Sequence, residues 1–325
     1  MASRAEVSLR LLLLGGTKFL GRAVAEAALA RGDELTLFNR GRTNPGLFPE
    51  AEHRRGDRDG GLSALEGGEW DAVVDPSGFV PRVVGAAAEL LAEAVGHYVF
   101  VSSISVYRPP LAPGLDESAP LIELDDPASE DVPEHYGGLK ALCERAVEER
   151  LPGRATHVRA GLIVGPHDPT GRFTYWAHRL RRGGEILAPG PPERRVQFVD
   201  VRDLAEWMLL CAERRTAGVF NATGEGLSWG ELLGSAPRSN GEVTWVSDAF
   251  LREHEVGEWM ELPLWIADPE WAGMHGADVS RAAAAGLRAR PIGETLAGAA
   301  DAPAVDGVGL SPEREAELLA AWHAR

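Results

Sequence analysis

Lysine is nearly absent. Of the 33 basic residues in this 325-residue chain, only Lys18 and Lys140 are lysines; the rest are arginines. Positive charge is short overall, since 49 Asp and Glu leave a formal net charge of −16. That balance disfavours wrapping nucleic acid or docking on an anionic bilayer, because both need surplus cation. Cysteine is scarce too. Cys143 and Cys211 are far apart and in helix-like context. A disulfide scaffold is thus excluded, and two buried thiols in a reducing cytoplasm are expected. No apolar run approaches the ~18 residues of a membrane span, and Leu11–Leu14 is too short for a secretory signal core. The histidines show no metal-ligand spacing, so no metal is expected.

The chain is 44% hydrophobic, too apolar for disorder. At about 100–200 residues per domain, its length fits one large domain or two. The first half alternates strand and helix signals. Leu9–Leu14 is a continuous apolar run, as in a strand buried on both faces. An Ala-rich helix follows to Ala30, then strands at Glu34–Phe38, near Gly56, at Ala72–Asp75, at His97–Val101 and at Thr156–Val164. Helices are expected over 83–95 and 136–150. This alternation predicts an α/β fold built on a doubly wound parallel sheet. After residue 165 the composition changes: eight of the nine Trp lie beyond residue 175. A smaller C-terminal substrate domain is therefore expected, formed by 166–195 and 225–325. Residues 1–165 form the first domain, and the chain returns to its sheet over 196–224, with strands expected at Val196–Val201 and Val219–Asn221.

Gly15-Gly16-Thr17-Lys18-Phe19-Leu20-Gly21 lies between the first strand and the first helix. A glycine turn there lets backbone N–H groups and a helix N-terminus hold a pyrophosphate. Gly15, Thr17, Lys18, Phe19, Leu20 and Gly21 are therefore candidate dinucleotide-binding residues. Lys18 stands where a middle glycine is usual. The second strand ends in Asn39-Arg40-Gly41-Arg42. NAD sites usually place a carboxylate there, whereas guanidiniums suit a 2′-phosphate. NADP is therefore expected, with NAD as the alternative. Asp57, Asp75 and Ser77 end later strands beside that site, and the two aspartates are expected on its adenine side.

Tyr136 and Lys140 stand one helical turn apart on one face. A nearby ammonium favours phenolate and lowers the phenol pKa, which suits acid–base work near neutral pH. With four Tyr and two Lys in the chain, chance supplies about 0.025 such pairs. Ser103 ends the fifth strand, at the edge where such sheets bind ligands.

The glycine loop, the segment Val101-Ser102-Ser103-Ile104-Ser105-Val106-Tyr107 and the Tyr136/Lys140 pair resemble the short-chain dehydrogenase/reductase superfamily. More narrowly they resemble its extended or atypical branch, the NAD-dependent epimerase/dehydratase family. Arg159–Pro166, Val196–Ala205 and Asp278–Ala282 extend the resemblance to about residue 297. It implies a Rossmann fold, a nicotinamide cofactor, Tyr136 as general acid/base, Lys140 on the nicotinamide ribose and Ser103 polarising the reacting C–O group. Ile104-Ser105 replaces the Asp-Glu pair of the family's sugar-nucleotide dehydratases, so 4,6-dehydration is not expected. The family binds a diphosphate near 166–195, which here carries six arginines against three acids. Ser105, Arg172 and Arg195 are the candidate substrate-binding residues. The acidic insertion 108–135 is either a solvated loop or a lid favouring cationic substrates. In the family the helices that carry Val84, Ala87, Ala88 and Leu91, and Leu139, Leu142 and Ala146, pair across a two-fold axis, so the resemblance implies a homodimer. The expectation is a cytoplasmic NADP(H)-preferring oxidoreductase of a small polar metabolite. The alternatives are an NAD-dependent sugar-nucleotide epimerase, or a non-catalytic dinucleotide-sensing or RNA-binding protein on the same fold. The net charge weighs against RNA.

Overall fold

The computed structural model describes residues 8–235 and 242–325. Seven parallel strands form the central sheet: β1 (Arg10–Leu14), β2 (Glu34–Asn39), β3 (Glu52–Arg55), β4 (Trp70–Asp75), β5 (Val95–Ser103), β6 (Ala155–Ala160) and β7 (Gly218–Ala222). Their order is β7-β6-β5-β4-β1-β2-β3. The order reverses between β1 and β4, and an open α/β sheet leaves a ligand crevice at the carboxyl ends of those strands. β1 sits at the centre because Leu11, Leu12 and Leu13 are fully buried, one side toward each helix layer. Full burial of each such side chain stabilises by about 1.5–3 kcal/mol.

Helices α1 (Phe19–Ala30) and α5 (Val201–Arg214) cover one face; α2 (Pro81–Leu91) and α3 (Val132–Arg150) cover the other. α3 is kinked at His135, whose φ of −117° and ψ of 22° are not helical, so its regular run begins at Tyr136. Two expected strands come out broken. Thr156–Val164 stops at Ala160, and Ile163–Val164 pairs instead with Val199–Asp200. Val196–Val201 likewise splits, with Arg195–Val196 pairing antiparallel to Leu227–Ser228.

A second core holds Trp176, Trp229 and Trp265, all fully buried, with Phe173, Phe198 and Phe250. Its arginines are tied internally. On α4 (Arg172–Arg182), Arg179 meets the buried Glu315 at 2.8 Å and Arg182 bonds the same carboxylate. Glu315 lies on the helix Pro312–His323. The acidic insertion is strapped down at Leu111, Gly114 and Leu115 by backbone bonds to Glu270, Gly276 and Asp278. Beneath it Arg159 grips Glu144 through two bonds of 3.0 and 2.8 Å and donates to the Tyr107 hydroxyl, which donates to Asn221.

Of the residues expected to pair two copies, Leu142 is half-buried and the others are buried. Val84, Ala87, Ala88, Leu91 and Leu139 are fully buried within one chain. The exposed faces of α2 and α3 present Arg82, Glu89, Arg145 and Glu149 instead. Both cysteines are buried and free. Among the described residues, no helix is long and apolar enough to cross a membrane.

Candidate active site

A cavity of about 700 Å³ opens at the carboxyl edge of the sheet, over the switch between β1 and β4. Fourteen of the fifteen candidate cofactor and catalytic residues line it: Gly15, Thr17, Lys18, Phe19, Leu20, Gly21, Asn39, Arg40, Arg42, Asp57, Ser77, Ser103, Tyr136 and Lys140. Its size falls within the usual range of ligand pockets.

The glycine loop is built for an anion. α1 begins with no side-chain cap and no acidic residue in its first turn, so its N–H groups and dipole face the cavity unopposed. Gly21 is required because a Cβ there would stand 2.9 Å from the Gly16 nitrogen. Lys18, in contrast, has φ −142° and extended backbone, which any residue adopts. That is why a lysine fits where a glycine is usual.

At the end of β2, the Asn39 side chain is fully engaged. It donates to the Gly15 carbonyl at 2.8 Å, and its oxygen accepts from Gly41 N–H and from Arg55. Arg40, Arg42 and Arg55 are exposed around this turn. Arg55 was not among the sequence candidates. It ends β3, and only the β2–β3 register, which pairs Asn39 with Arg55, brings it there.

Asp75 is a correction. It is fully buried and does not line the adenine side. Arg58 holds it through two bonds of 2.7 Å and Tyr98 donates to it at 2.9 Å. Despite the desolvation, the guanidinium keeps the Asp75 carboxyl below its ordinary pKa. Arg58, also missed from sequence, occupies the cavity wall in its place.

Ser103, Tyr136 and Lys140 meet at the far end. Gly137 lets α3 approach, since a Cβ there would collide with the Ser105 carbonyl oxygen. The Lys140 side chain is 2% exposed, and its ammonium donates to the carbonyls of Gly78 and Val101. It also lies 4.2 Å from the Phe100 ring centre and 5.3 Å from that of Phe79. Burial lowers its pKa to about 8, against the opposing pull of Cys143 and Asp75. The effect on Tyr136 runs opposite to the sequence expectation. Burial raises the phenol pKa, the Ser103 side chain lowers it, and Lys140 is not among the groups that shift it. The ammonium is occupied by backbone carbonyls instead. Ser103 Oγ itself accepts from the Ser105 N–H at 3.1 Å.

The candidate substrate residues lie elsewhere. Ser105, Arg172 and Arg195 do not line this cavity. Arg172 stacks 4.6 Å from the Trp259 ring centre, and Arg195 bonds the Glu225 carbonyl at the surface. No residue of the acidic insertion 108–135 lines it either.

Comparison with known proteins agrees with this geometry. A model of the NAD dependent epimerase/dehydratase family matches residues 62–223. The chain belongs to this family. The chloroplast stem-loop binding protein of 41 kDa b from Arabidopsis thaliana is 28% identical over 66% of the chain. The match spans 59% of that relative's length, less than two thirds. The human epimerase family protein SDR39U1 is 28% identical over 61% of this chain and 68% of its own. Among solved folds, the Bordetella bronchiseptica enzyme WbmG in complex with NAD and UDP superposes with a TM-score of 0.65. It shares 19% identity over 94% of this chain and 99% of that one. Human SDR39U1 (isoform 2) with NADPH gives 0.57 at 22% identity, over 90% of this chain and 100% of that one. The shared fold is thus the Rossmann-like sheet of this epimerase family.

Proposed function

We propose that this family member is an NADP(H)-preferring oxidoreductase that works at a hydroxyl or carbonyl carbon, with Tyr136 as the proton-transfer residue. The observation that carries this reading is one continuous cavity, running from the uncapped N-terminus of α1 to the Ser103–Tyr136 pair. The nicotinamide cofactor would supply or accept the hydride. Gly15–Gly21 and the first turn of α1 would hold its pyrophosphate. Arg40, Arg42 and Arg55 would take the 2′-phosphate. The Asn39 oxygen already accepts two donors, so it offers little to an NAD ribose hydroxyl.

Tyr136 would act first as an acid. Its raised pKa keeps the phenol protonated near neutrality, which suits donation to a carbonyl oxygen. Ser103 would polarise that oxygen through its hydroxyl. Lys140 has three protons and gives two to carbonyls, leaving one for a ribose hydroxyl.

Calorimetric titration with NADPH and NADH, on wild type and Tyr136→Phe, tests this. NADPH should bind more tightly to both proteins. Turnover of Tyr136→Phe should fall about 10²–10⁴-fold, the range for a general acid, with its NADPH affinity intact. Unchanged turnover rejects the mechanism; equal affinities for the two cofactors reject the preference.

A further inference from the structure

The cations available to a substrate are fewer than the sequence implies. Arg179 and Arg182 converge on Glu315. Arg194 grips Asp248 through two bonds of 2.8 and 2.6 Å, and Arg181 faces Asp301 at 3.6 Å. A diphosphate would compete with these carboxylates, and drawing Arg179 away would leave the buried Glu315 only Arg182 and the Leu187 N–H as partners. None of the four arginines lines the cavity that contains Tyr136.

Beside Ser102, Ser103, Tyr136 and Lys140, that cavity has apolar wall residues in Phe79, Val101, Ala160, Ile163 and Pro169. Phe79 leaves 42% of its surface uncovered, next to a Tyr136 that is 37% exposed. Their rings stand 6.3 Å apart, tilted by 41°. Phe79 is also held in place. The Lys140 ammonium bonds the carbonyl of its neighbour Gly78 and lies 5.3 Å from its ring centre. A phenyl ring fixed by this lysine and open to the cavity offers a flat apolar face to whatever approaches the phenol.

We infer that the substrate is a carbonyl or secondary-alcohol compound with an apolar, planar group beside the reacting carbon, that Phe79 packs on that group, and that nucleotide diphosphates are not substrates. This rests on reading Tyr136 as the proton-transfer residue.

The test titrates the NADPH-loaded protein with acetophenone, 4-phenyl-2-butanone, UDP and UDP-glucose, and follows turnover of the two ketones. The ketones should bind and turn over, while UDP and UDP-glucose release no binding heat. Phe79→Ala should raise the ketone KM about 10-fold or more, the scale of a lost apolar contact, with little change in kcat and the same NADPH affinity. Three results overturn the inference: UDP or UDP-glucose binding more tightly than the ketones, no binding by either ketone, or Phe79→Ala weakening NADPH rather than ketone. The first of these leaves the oxidoreductase reading standing. Wild-type ketone turnover by Tyr136→Phe rejects that reading instead, whatever Phe79 does.

Discussion

The turn at the end of β2 and the segment 179–194 use arginine in opposite ways. Around the end of β2, Arg40, Arg42 and Arg55 stay exposed, and the carboxylate facing Arg40, Asp57, is 3.8 Å away. In the half after residue 165, Arg179 and Arg194 close on carboxylates at 2.8 and 2.6 Å. Away from that turn the first half also holds closed pairs: Arg58 is tied to Asp75 behind the cavity wall, Arg159 to Glu144 and Arg82 to Asp59. Open guanidiniums are available to a ligand; closed ones hold the fold. The positive balance of a segment says little about ligands until each cation's partner is known.

The largest effect should come from opening a closed pair. Arg179→Ala leaves Glu315 buried without its main partner, which costs about 3–5 kcal/mol. Urea unfolding would measure this, and NADPH affinity of the folded fraction should not move. Replacing both partners with apolar residues (Arg179→Met with Glu315→Leu) should recover much of the loss. A loss of stability near zero for the single variant would break the contrast between the two regions.

Next in size is the buried ammonium. Lys140 has a pKa of about 8 in the fold against 10.5 ordinarily. The folded state therefore favours the neutral amine. Between those values the unfolded chain binds the extra proton, so stability rises with pH across this window. Relative to Lys140→Met, the cofactor-free protein should gain on the order of 3 kcal/mol from pH 7.5 to 10.5. A flat difference between the two curves would mean that the ammonium is not buried at this cost.

The smallest effect tests an open cation. Arg55→Ala should weaken NADPH about 10- to 100-fold, the scale of one charge-assisted bond, and leave NADH unchanged. Equal losses for both cofactors would make Arg55 a structural partner of Asn39 and dissolve the contrast at that turn.

The fold was legible where the signal was local. The leucine run of β1, the glycine turn and the Ala-rich α1 lie in one stretch, and each forms near its expected bounds. Tyr136 and Lys140 were legible because helical spacing alone puts them together. Phe79, Arg55 and Arg58 were not, since strand register and loop closure bring them to the cavity from separate segments. The charged residues misled for the same reason. Nothing near Arg179 in sequence announces Glu315, 136 positions away. The small faces of α2 and α3 read equally well as a dimer seam or as packing on their own sheet, and most of their residues are buried within the chain.

Five consecutive residues, Asp75 at the end of β4 through Phe79, span the site. Asp75 is locked to Arg58, Ser77 faces the glycine loop, Gly78 holds Lys140, and Phe79 stands beside Tyr136. This short peptide acts as a ruler between the pyrophosphate grip and the proton donor. One inserted residue would displace its far end by about 3.3–3.8 Å, more than the length tolerance of any hydrogen bond it makes. New chemistry in this scaffold is thus more accessible by exchanging side chains along the ruler than by changing its length.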